Sequence, residues 1–483
     1  MSHSAGHSGA GLAGAGLSGA GLAGAGEAMR AALRGARVVV VGLGASGRAA
    51  ALLVKGLGAE VVATDAAPRA AIESAAASME AAGIGLALGG HDSAGLERAD
   101  LVVVSPGVPT FAALEAAEAR GAVVIGEIEL ATRLVDLPVI AITGSNGKST
   151  TTTLVGDLLR AAGKRPFVGG NLGDPPAAMV PRPGGPTALE HDVLVLEISS
   201  FQAERMPLLR ARSAAILNIT PNHLDRYDYF ASYCNAKGNV FASQTGDDLS
   251  VIPANDLDCE RQASRSGGRV VRIGELDKGV LVGFDRDRIV DGLGGGTYER
   301  STIVLAGDHN AFNVCAALAL VAPFGVSPEI AAAVLARFRG LPHRLALVRD
   351  VDGVRHYDDS KGTSVGAAVA AIRGLHEHKI VLIAGGRDKM GSYAPLFEAL
   401  RERGRGAVLI GEAAPRLAAE LAGACPLTRA ESMEEAVRAA QVLAVPGDAV
   451  LLSPCCASFD MFRDYKHRGD AYVQAVHALE TTS

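Results

Sequence analysis

Phosphate-binding chemistry is suggested by the stretch AITGSNGKSTTTTLVG, residues 141–156. The apolar run VIAIT before it predicts a buried strand and the residues after it predict a helix, so Gly144–Thr150 forms a loop at a helix N-terminus. Amides at such a position bind phosphate oxygens, Lys148 can neutralise their charge, and the Ser149 hydroxyl can contact Mg²⁺. A standard Walker A loop has a glycine where this chain has Ile142, yet the order strand, loop and helix predicts a triphosphate site.

Further polar side chains follow the next two predicted strands. The strand in HDVLVLEISSFQ ends at Glu197, and the strand in ILNITPNHLDRY ends beside His223 and Asp225. A lone histidine at a strand end is usually structural. Ligands gather at the carboxyl edge of a parallel sheet, however, so we expect Lys148, Glu197 and His223 to converge there around a metal ion and a phosphate.

A second glycine-rich turn lies near the start of the chain. The run VVVV leads into Gly42-Leu43-Gly44-Ala45-Ser46-Gly47, and Asp65 ends the next predicted strand. Such glycines let a phosphate approach the backbone, and an acidic residue at that spacing commonly binds a sugar hydroxyl. Taken alone, this pattern favours a dinucleotide-dependent dehydrogenase, with a tight turn of no binding function as the alternative.

Three polar clusters mark the C-terminal third: YDDSKGTS, then Arg387-Asp388-Lys389 after KIVLIAGG, then the serine and cysteine loop of AVLLSPCCASFDMF. Each cluster follows a predicted strand. They form either one ligand-binding edge or a set of solvated loops, and the pattern by itself does not decide between the two.

The elements that must position these residues alternate between short β-branched runs and alanine-rich helices, which predicts an α/β chain with parallel sheets. The 483 residues exceed a single core. With a net charge of −6 and no basic run, we expect no nucleic-acid partner. No apolar segment is long enough to span a membrane. The six scattered cysteines indicate reduced thiols in a cytoplasmic protein.

Together these motifs resemble the Mur ligase family of ATP-dependent ligases. The phosphate loop of that family has the shortened form Gly-x-x-Gly-Lys-Ser/Thr after a threonine, which TGSNGKST matches without a glycine at position 142. The other specific segments are EISSFQ, PNHLDRY, GLPHR, DDSKGTS and LSPCCASFDMFRDYKHRG. Still open are a sister ligase with another amino acid, a folylpolyglutamate synthase, a dehydrogenase and a non-catalytic nucleotide switch.

The resemblance implies three domains: a Rossmann-like UDP-binding domain over 36–126, a central P-loop ATPase-type domain with a mostly parallel sheet over 127–341, and a Rossmann-like C-terminal domain over 342–483 that binds amino acid and ATP. Residues 1–35, rich in glycine and alanine, are expected to be a flexible tail.

The site residues are carried over from the family motifs. Catalytic roles are implied for Lys148, Glu197, His223, Lys237 and Lys361. ATP is assigned to Gly144, Ser145, Asn146, Gly147, Lys148, Ser149, Thr150, Asn310, Asn313, His343, Arg344 and Asp359. The UDP-linked substrate is assigned to Gly44, Ser46, Asp65, Ser105, Pro106, Gly107 and Asn171. D-Glutamate is assigned to Lys361, Thr363, Lys389, Ser458, Phe459 and Tyr465, and metal to Ser149, Glu197, His223 and Lys237.

The reaction implied by the resemblance joins D-glutamate to UDP-N-acetylmuramoyl-L-alanine at the expense of ATP, through an acyl phosphate and a tetrahedral intermediate, during peptidoglycan precursor synthesis. Two Mg²⁺ ions and a carbamylated Lys237 are implied with it, and a monomer is expected. The chain departs from the family pattern at Gly362 and Ser364, where alanine and asparagine are usual, and at Arg387-Asp388.

Overall fold

Three sheets organise the chain, in a computed structural model that describes residues 25–222, 226–227, 229–305, 307–388 and 392–480. The described residues form two compact units. One comprises the residues up to Tyr298 together with Val314–Val334, and the other comprises Glu299–Asn313 and the residues from Leu335 onward. The mixed α/β fold with three sheets confirms the predicted fold class, while the exact domain boundaries stay a prediction.

The N-terminal sheet has five parallel strands in the order β3-β2-β1-β4-β5. Valine-rich β1 and β4 are buried on both faces because helices cover both sides of the sheet. The strand order reverses between β1 and β4, which opens a crevice at their carboxyl ends. The elements are β1 (Arg37–Val41), β2 (Glu60–Asp65), β3 (Gly85–Leu88), β4 (Leu101–Val104), β5 (Val123–Gly126), α1 (Ala25–Leu33), α2 (Ala45–Gly56), α3 (Glu73–Ala81), α4 (Ala112–Ala119) and α5 (Glu127–Leu134).

The central sheet has nine strands in the order β14-β13-β12-β11-β10-β9-β6-β8-β7. The strands from β7 to β12 pair in parallel, and β13 runs antiparallel to β12. The strands are β6 (Val139–Thr143), β7 (Pro166–Gly170), β8 (Val193–Glu197), β9 (Ser213–Ile216), β10 (Leu249–Pro253), β11 (Arg269–Glu275), β12 (Val282–Phe284), β13 (Arg288–Asp291) and β14 (Gly296–Glu299). The helices are α6 (Lys148–Ala161), α7 (Ser200–Ala203), α8 (Phe230–Gly238), α9 (Leu257–Ala263), α10 (Asp308–Val321) and α11 (Pro328–Leu335).

The C-terminal sheet has six strands in the order β15-β16-β20-β17-β18-β19, all parallel except the β15–β16 hairpin. Its elements are β15 (Ala346–Val351), β16 (Val354–Asp358), β17 (Ile380–Gly385), β18 (Gly404–Ile410), β19 (Leu427–Arg429), β20 (Ala449–Leu452), α12 (Val365–Gly374), α13 (Ala394–Arg403), α14 (Ala414–Glu420), α15 (Met433–Leu443) and α16 (Tyr465–His477).

The predicted flexible tail is wrong for its last residues, because helix α1 occupies Ala25–Leu33. Met29 and Leu33 are buried in the hydrophobic core. Arg30 donates to the carbonyl oxygens of Pro181, at 2.9 Å, and Leu134. Two apolar anchors at helical spacing and the hydrogen bonds of Arg30 hold this segment against the rest of the unit. Residues 1–24 lie outside the described ranges.

Helix α5 connects the N-terminal and central sheets through two buried carboxylates. Glu127 accepts a hydrogen bond from the Ala177 amide at 2.5 Å, and burial raises the pKa of Glu127 to about 8. Burial also raises the pKa of Glu129, which is opposed by Arg133 and by the Leu208 and Leu209 amides. A single hydrophobic cluster continues from α1 and β1 into β6, β8 and β9. Hydrogen bonds to the two carboxyl groups and apolar packing therefore both fix α5 to the central sheet.

Two sequence predictions, on the cysteines and on membrane spans, can be compared with the described residues. No disulfide joins the six cysteines, all of which lie in described ranges. None of the described helices has the length and apolar character needed to cross a membrane.

Candidate active site

The loop Gly144–Gly147 lies between β6 and the 14-residue helix α6, which confirms the predicted order of strand, loop and helix. Lys148–Thr150, predicted to lie in the loop, form the first turn of the helix. Gly144 and Gly147 have φ values of 147° and 84°, which side-chain-bearing residues rarely adopt. The loop therefore depends on glycine at both places. Its backbone amides and the helix N-terminus together form a cradle suited to phosphate oxygens.

Asn218 and Ser145 hold the loop in place from two sides. The Asn218 side chain accepts from the Asn146 amide at 2.8 Å and donates to the Asn146 carbonyl at 3.1 Å. The Ser145 hydroxyl accepts from the Thr220 amide at 2.9 Å and also lies 3.0 Å from the Tyr233 hydroxyl. Sequence reasoning did not assign Asn218. Its place directly after the apolar run of β9, on the strand beside β6, was the available signal.

Two lysines converge on the first glycine of the loop. The Lys148 ammonium donates to the Gly144 carbonyl at 2.9 Å and to the Ser145 carbonyl at 3.1 Å. The Lys237 ammonium, reaching in from α8, donates to the same Gly144 oxygen at 2.9 Å. The structure thus brings together two of the residues assigned to catalysis.

Lys237 is 1% exposed and its ammonium lies 4.7 Å from the centre of the Tyr233 ring. Burial, followed by repulsion from Lys148, lowers the pKa of Lys237 well below its ordinary value. A buried lysine amine of this kind is available as a nucleophile, since the unprotonated form is the reactive one.

Glu197 ends β8, the strand next to β6, with Ile142 as its register partner. It is 2% exposed, and its Oε1 accepts from the Asn171 side-chain amide at 2.7 Å. Its Oε2 is buried without a hydrogen-bond partner among the described residues. A buried carboxylate oxygen in that condition carries a large desolvation cost that a bound cation would remove.

This donor set fits Mg²⁺, because the oxygens of Glu197 and of the nearly buried Ser149 are the hard ligands that Mg²⁺ prefers. Within the described ranges no group of three or more His, Cys, Asp or Glu side chains is placed to hold a metal. His223, the fourth predicted metal ligand, lies outside the described residues.

The glycine turn after β1 is held by Asp65 and Ser105. The two carboxylate oxygens of Asp65 accept from the Leu43 amide at 2.7 Å and the Ala67 amide at 2.9 Å. The Ser105 hydroxyl donates to the Gly42 carbonyl at 2.9 Å. A side chain at Gly47 would collide with that same carbonyl, so glycine is required there. Asp65 positions the turn through backbone contacts, a role that the dinucleotide pattern did not predict.

Ser105, Pro106 and Gly107 follow β4, the neighbour of β1, so the two predicted UDP-binding segments lie at the reversal of strand order. Gly44 precedes α2, and Ser46 lies in its first turn. Both segments therefore sit at the crevice where α/β sheets bind ligands.

Arg226 links the Ser105–Gly107 segment to the central sheet. Its guanidinium donates to the Pro106 carbonyl at 3.3 Å and the Val108 carbonyl at 3.1 Å. It also pairs with Glu204 at 3.3 Å and lies 4.5 Å from the Phe201 ring centre. Arg226 lies within the segment PNHLDRY, but the sequence pattern predicted no role for it.

Phe201 begins a column of aromatic rings that leads to the phosphate loop. Its ring stacks on Tyr227 at a centroid distance of 5.9 Å, and Tyr227 meets Tyr233 edge-on at 5.4 Å. Tyr233 in turn contacts Ser145 and Lys237. A packed path therefore runs from the predicted UDP segment to the predicted ATP loop.

In the C-terminal unit Asp359 follows β16, His343 precedes β15, and Asn310 and Asn313 lie on α10. His343 Nδ1 lies 2.6 Å from Asp358 Oδ2. Asp359 accepts from the Ser453 hydroxyl at 2.7 Å, and burial raises the pKa of Asp359 to about 7, opposed by that hydrogen bond. Asn310 and Asn313 contact each other at 3.4 Å through their side-chain amides on α10.

Lys361 and Tyr465, both assigned to D-glutamate, lie side by side, with the Lys361 ammonium 4.0 Å from the ring centre. The Thr363 amide donates to the Lys361 carbonyl at 2.7 Å. Ser458 is buried, whereas Phe459 is 64% exposed. Lys389 lies outside the described residues, but the preceding Asp388 accepts from Tyr393 at 3.0 Å and pairs with Arg416.

Three domain families match consecutive parts of the chain. Residues 36–126 match the family described as Mur ligase MurD-like, N-terminal domain. Residues 142–321 match the Mur ligase middle domain, and residues 343–456 match the Mur ligase, glutamate ligase domain.

Two relatives show how far the similarity extends. The UDP-N-acetylmuramoylalanine--D-glutamate ligase of Geobacter metallireducens is 46% identical over 398 residues, which covers 81% of this chain and 86% of the relative. The protein of the same name from Nitrosococcus oceani is 43% identical over 411 residues, covering 82% of this chain and 86% of the relative.

Solved structures share the fold at low identity. A pseudomurein peptide ligase type C from Methanothermus fervidus aligns over 92% of this chain and all of its own, with a TM-score of 0.56 and 17% identity. MurF ligase from Thermotoga maritima in complex with ADP aligns over 77% of this chain and 93% of its own, with a TM-score of 0.54 and 16% identity.

Proposed function

The chain belongs to the Mur ligase family, and we propose that it joins D-glutamate to UDP-N-acetylmuramoyl-L-alanine in an ATP-dependent reaction of peptidoglycan precursor synthesis. The observation that carries this proposal is the 46% identity to a D-glutamate ligase over 81% of this chain. A dehydrogenase would leave the phosphate loop, Lys148 and Glu197 without a purpose, so we set that alternative aside.

The first step activates a carboxylate. A carboxylate is a poor acyl electrophile, so an oxygen of the L-alanine carboxylate attacks the γ-phosphorus of ATP, giving an acyl phosphate and ADP. The segment Gly144–Thr150 binds the phosphates through its amides, and Lys148 turns from its loop carbonyls to neutralise the charge that spreads over the transferred group. Mg²⁺, when bound, supplies further charge neutralisation at the phosphate oxygens, and Ser149, Glu197 and His223 are the residues that would hold it.

The second step forms the amide bond. The D-glutamate amine attacks the carbonyl carbon of the acyl phosphate, and the tetrahedral intermediate expels phosphate and a proton. The two D-glutamate carboxylates call for cations and hydroxyls. We assign this role to Lys361, Thr363, Lys389 and Ser458, with Phe459 and Tyr465 beside them. The contact between Lys361 and the Tyr465 ring supports the assignment, since it aligns the ammonium.

The remaining substrate groups are assigned to other loops of the two units and to helix α10. The glycine turn with Gly44 and Ser46, the Asp65 carboxylate and Ser105–Gly107 bind the uridine diphosphate, and Asn171 meets the muramoyl part. Adenine and ribose are assigned to Asn310, Asn313, His343, Arg344 and Asp359. The position of the first set at the reversal of strand order supports the assignment.

We further propose that two Mg²⁺ ions take part and that Lys237 carries a carbamate, which would give the second ion an anionic oxygen. The burial of Lys237 against the phosphate loop supports this assignment. We also propose that the protein is a monomer in the cytoplasm.

The decisive experiment measures phosphate release from ATP and Mg²⁺ with UDP-N-acetylmuramoyl-L-alanine, offering D-glutamate, L-glutamate, L-alanine and meso-diaminopimelate in parallel. Release that needs both the UDP substrate and D-glutamate, and that the Lys148→Ala variant lacks, supports the proposal. Release with another amino acid supports ligase activity but refutes D-glutamate as the acceptor. If folded protein that binds ATP releases no phosphate with any of the four amino acids, the proposed reaction is refuted.

A further inference from the structure

Arg468 is a charged side chain in the interior of the C-terminal unit. It lies in the first turn of α16 and is 1% exposed, which places it among the largest fully buried side chains of the described residues. Burying a guanidinium is costly unless its donors are satisfied. The partners of this group therefore indicate why it is there.

All of its hydrogen-bond partners are neutral oxygens of two loops. Nε donates to the Ser360 hydroxyl at 3.0 Å, and one terminal nitrogen donates to the Ser360 carbonyl at 2.8 Å. The other terminal nitrogen donates to the carbonyls of Cys456 at 3.2 Å and Ala457 at 3.3 Å. The Ser360 hydroxyl continues the network by donating to the Tyr465 carbonyl at 2.8 Å.

No described carboxylate forms an ion pair with Arg468, in contrast to Arg405 of the same unit, which pairs with Asp448 at 2.8 Å. Burial lowers the pKa of Arg468 to about 10. An apolar side chain of similar volume would avoid this desolvation cost. Only the planar guanidinium, with its five donors, can donate to two separate backbone segments at once.

The two segments are those that carry the assigned D-glutamate residues. Ser360 immediately precedes Lys361, and Ala457 immediately precedes Ser458. We infer that Arg468 is a positioning residue for the amino-acid site, fixing the Lys361 loop against the Ser458 loop at the spacing that D-glutamate requires. This inference rests on the proposed function, because that proposal assigns Lys361 and Ser458 to D-glutamate.

The test compares the full-length wild-type chain with Arg468→Lys, which keeps the charge but cannot donate to both loops at once. Because the variant loses several hydrogen bonds of a charged group, we expect the KM for D-glutamate to rise about tenfold or more. The KM values for ATP and for the UDP substrate should change by less than about twofold, since those sites keep their own partners.

Arg405→Lys is the matched control. Arg405 is held by Asp448, which precedes β20, whereas Ser458 follows the other end of that strand. All three KM values should stay at their wild-type levels in this variant. The inference would be overturned if all three KM values changed equally in Arg468→Lys, or if the KM for D-glutamate stayed unchanged in a folded variant.

Two further measurements keep the inference testable if Arg468→Lys fails to fold. Ser360→Ala removes one contact of the guanidinium and should raise the KM for D-glutamate in the same selective way. Added guanidinium ion should lower that KM in a folded Arg468→Ala variant. If wild-type enzyme uses a different amino acid, the proposed acceptor fails, and the same comparison with that amino acid still decides whether Arg468 positions the two loops.

Discussion

Lys148 and Lys237 donate to one and the same acceptor, the carbonyl oxygen of Gly144, each at 2.9 Å. The Lys237 side chain has almost no access to water, and a second ammonium there would be repelled by Lys148, so Lys237 favours its uncharged amine. A carbamate on Lys237 would exchange this repulsion for attraction. The geometry therefore gives a physical reason for the modification that the resemblance implies.

Removal of dissolved carbon dioxide should lower the activity, because a carbamate on Lys237 forms from the amine and carbon dioxide and is lost when carbon dioxide is withdrawn. Enzyme in degassed buffer is expected to regain its rate of phosphate release when bicarbonate is added. The Lys237→Ala variant should show a low rate that bicarbonate leaves unchanged. Equal activity of the wild-type enzyme with and without bicarbonate, after prolonged depletion, would contradict the assignment.

Glu197→Gln should raise the Mg²⁺ concentration needed for half-maximal phosphate release by about tenfold or more, because it removes the anionic oxygen that has no partner in the described protein. The exposed Glu190 offers a control of the same chemistry on the same unit. A Glu190→Gln variant should keep the wild-type Mg²⁺ dependence. If the two variants require the same Mg²⁺ concentration for half-maximal phosphate release, the role of Glu197 as a metal ligand is refuted.

Glu127 should make the first unit less stable as the pH rises. Its pKa is raised to about 8 in the fold and is about 4.3 in an unfolded chain, so between these values the folded state holds a proton that the unfolded state has released. Its contribution is complete below the lower pKa and is lost by about 1.4 kcal/mol per pH unit as the pH climbs to the upper one.

The measurement is the melting temperature of the wild-type chain and of Glu127→Gln between pH 5.5 and 8.5. The wild-type chain should lose melting temperature relative to the variant as the pH rises, with the difference levelling off above the folded pKa. Parallel curves would show that Glu127 does not carry the buried proton.

Arg226→Ala should weaken binding of the UDP substrate more than binding of ATP. Without the guanidinium, the Pro106 and Val108 carbonyls lose their link to Glu204 and Phe201, and the assigned UDP segment becomes more mobile. We expect a KM increase of about tenfold for the UDP substrate, in line with hydrogen bonds of a charged group.

Arg205→Ala serves as the comparison for Arg226, because Arg205 also bonds across the two sheets of the first unit, to Thr110 at 3.0 Å. It touches none of the residues Ser105–Gly107 through its side-chain bonds in the described structure. Its substitution should leave the KM for the UDP substrate near the wild-type value. A similar KM increase in both variants would assign the effect to general loosening of the unit.

The strand ends were predictable because parallel sheets place their carboxyl ends on one edge. Thr143 and Glu197 could be found from the apolar runs that precede them, and the structure puts these strands side by side. The glycine turn after β1 was recognised in the same way. Local pattern was sufficient wherever a residue's position followed from the strand that carries it.

Contacts between distant segments could not be predicted, since no local pattern reports them. Lys237 reaches Gly144 across 93 positions of sequence, and Arg468 reaches Ser360 across 108. The spacing of Asp65 did not predict its bonds to the Leu43 and Ala67 amides, and its contact with a sugar hydroxyl stays a prediction. Helix α1 was missed because glycine and alanine dominate the residues before it, while Met29 and Leu33 find their partners only in the folded core.

Helix α5 has a consequence for modularity. Glu127 and Glu129 are buried against amides of Ala177, Leu208 and Leu209, and one apolar cluster runs through the N-terminal and central sheets. A fragment cut after residue 135 would expose that cluster to water and leave both carboxylates without their amide donors. The first two sheets therefore form one structural piece, and a graft of the N-terminal sheet onto another ligase must carry the matching surface of the central sheet with it.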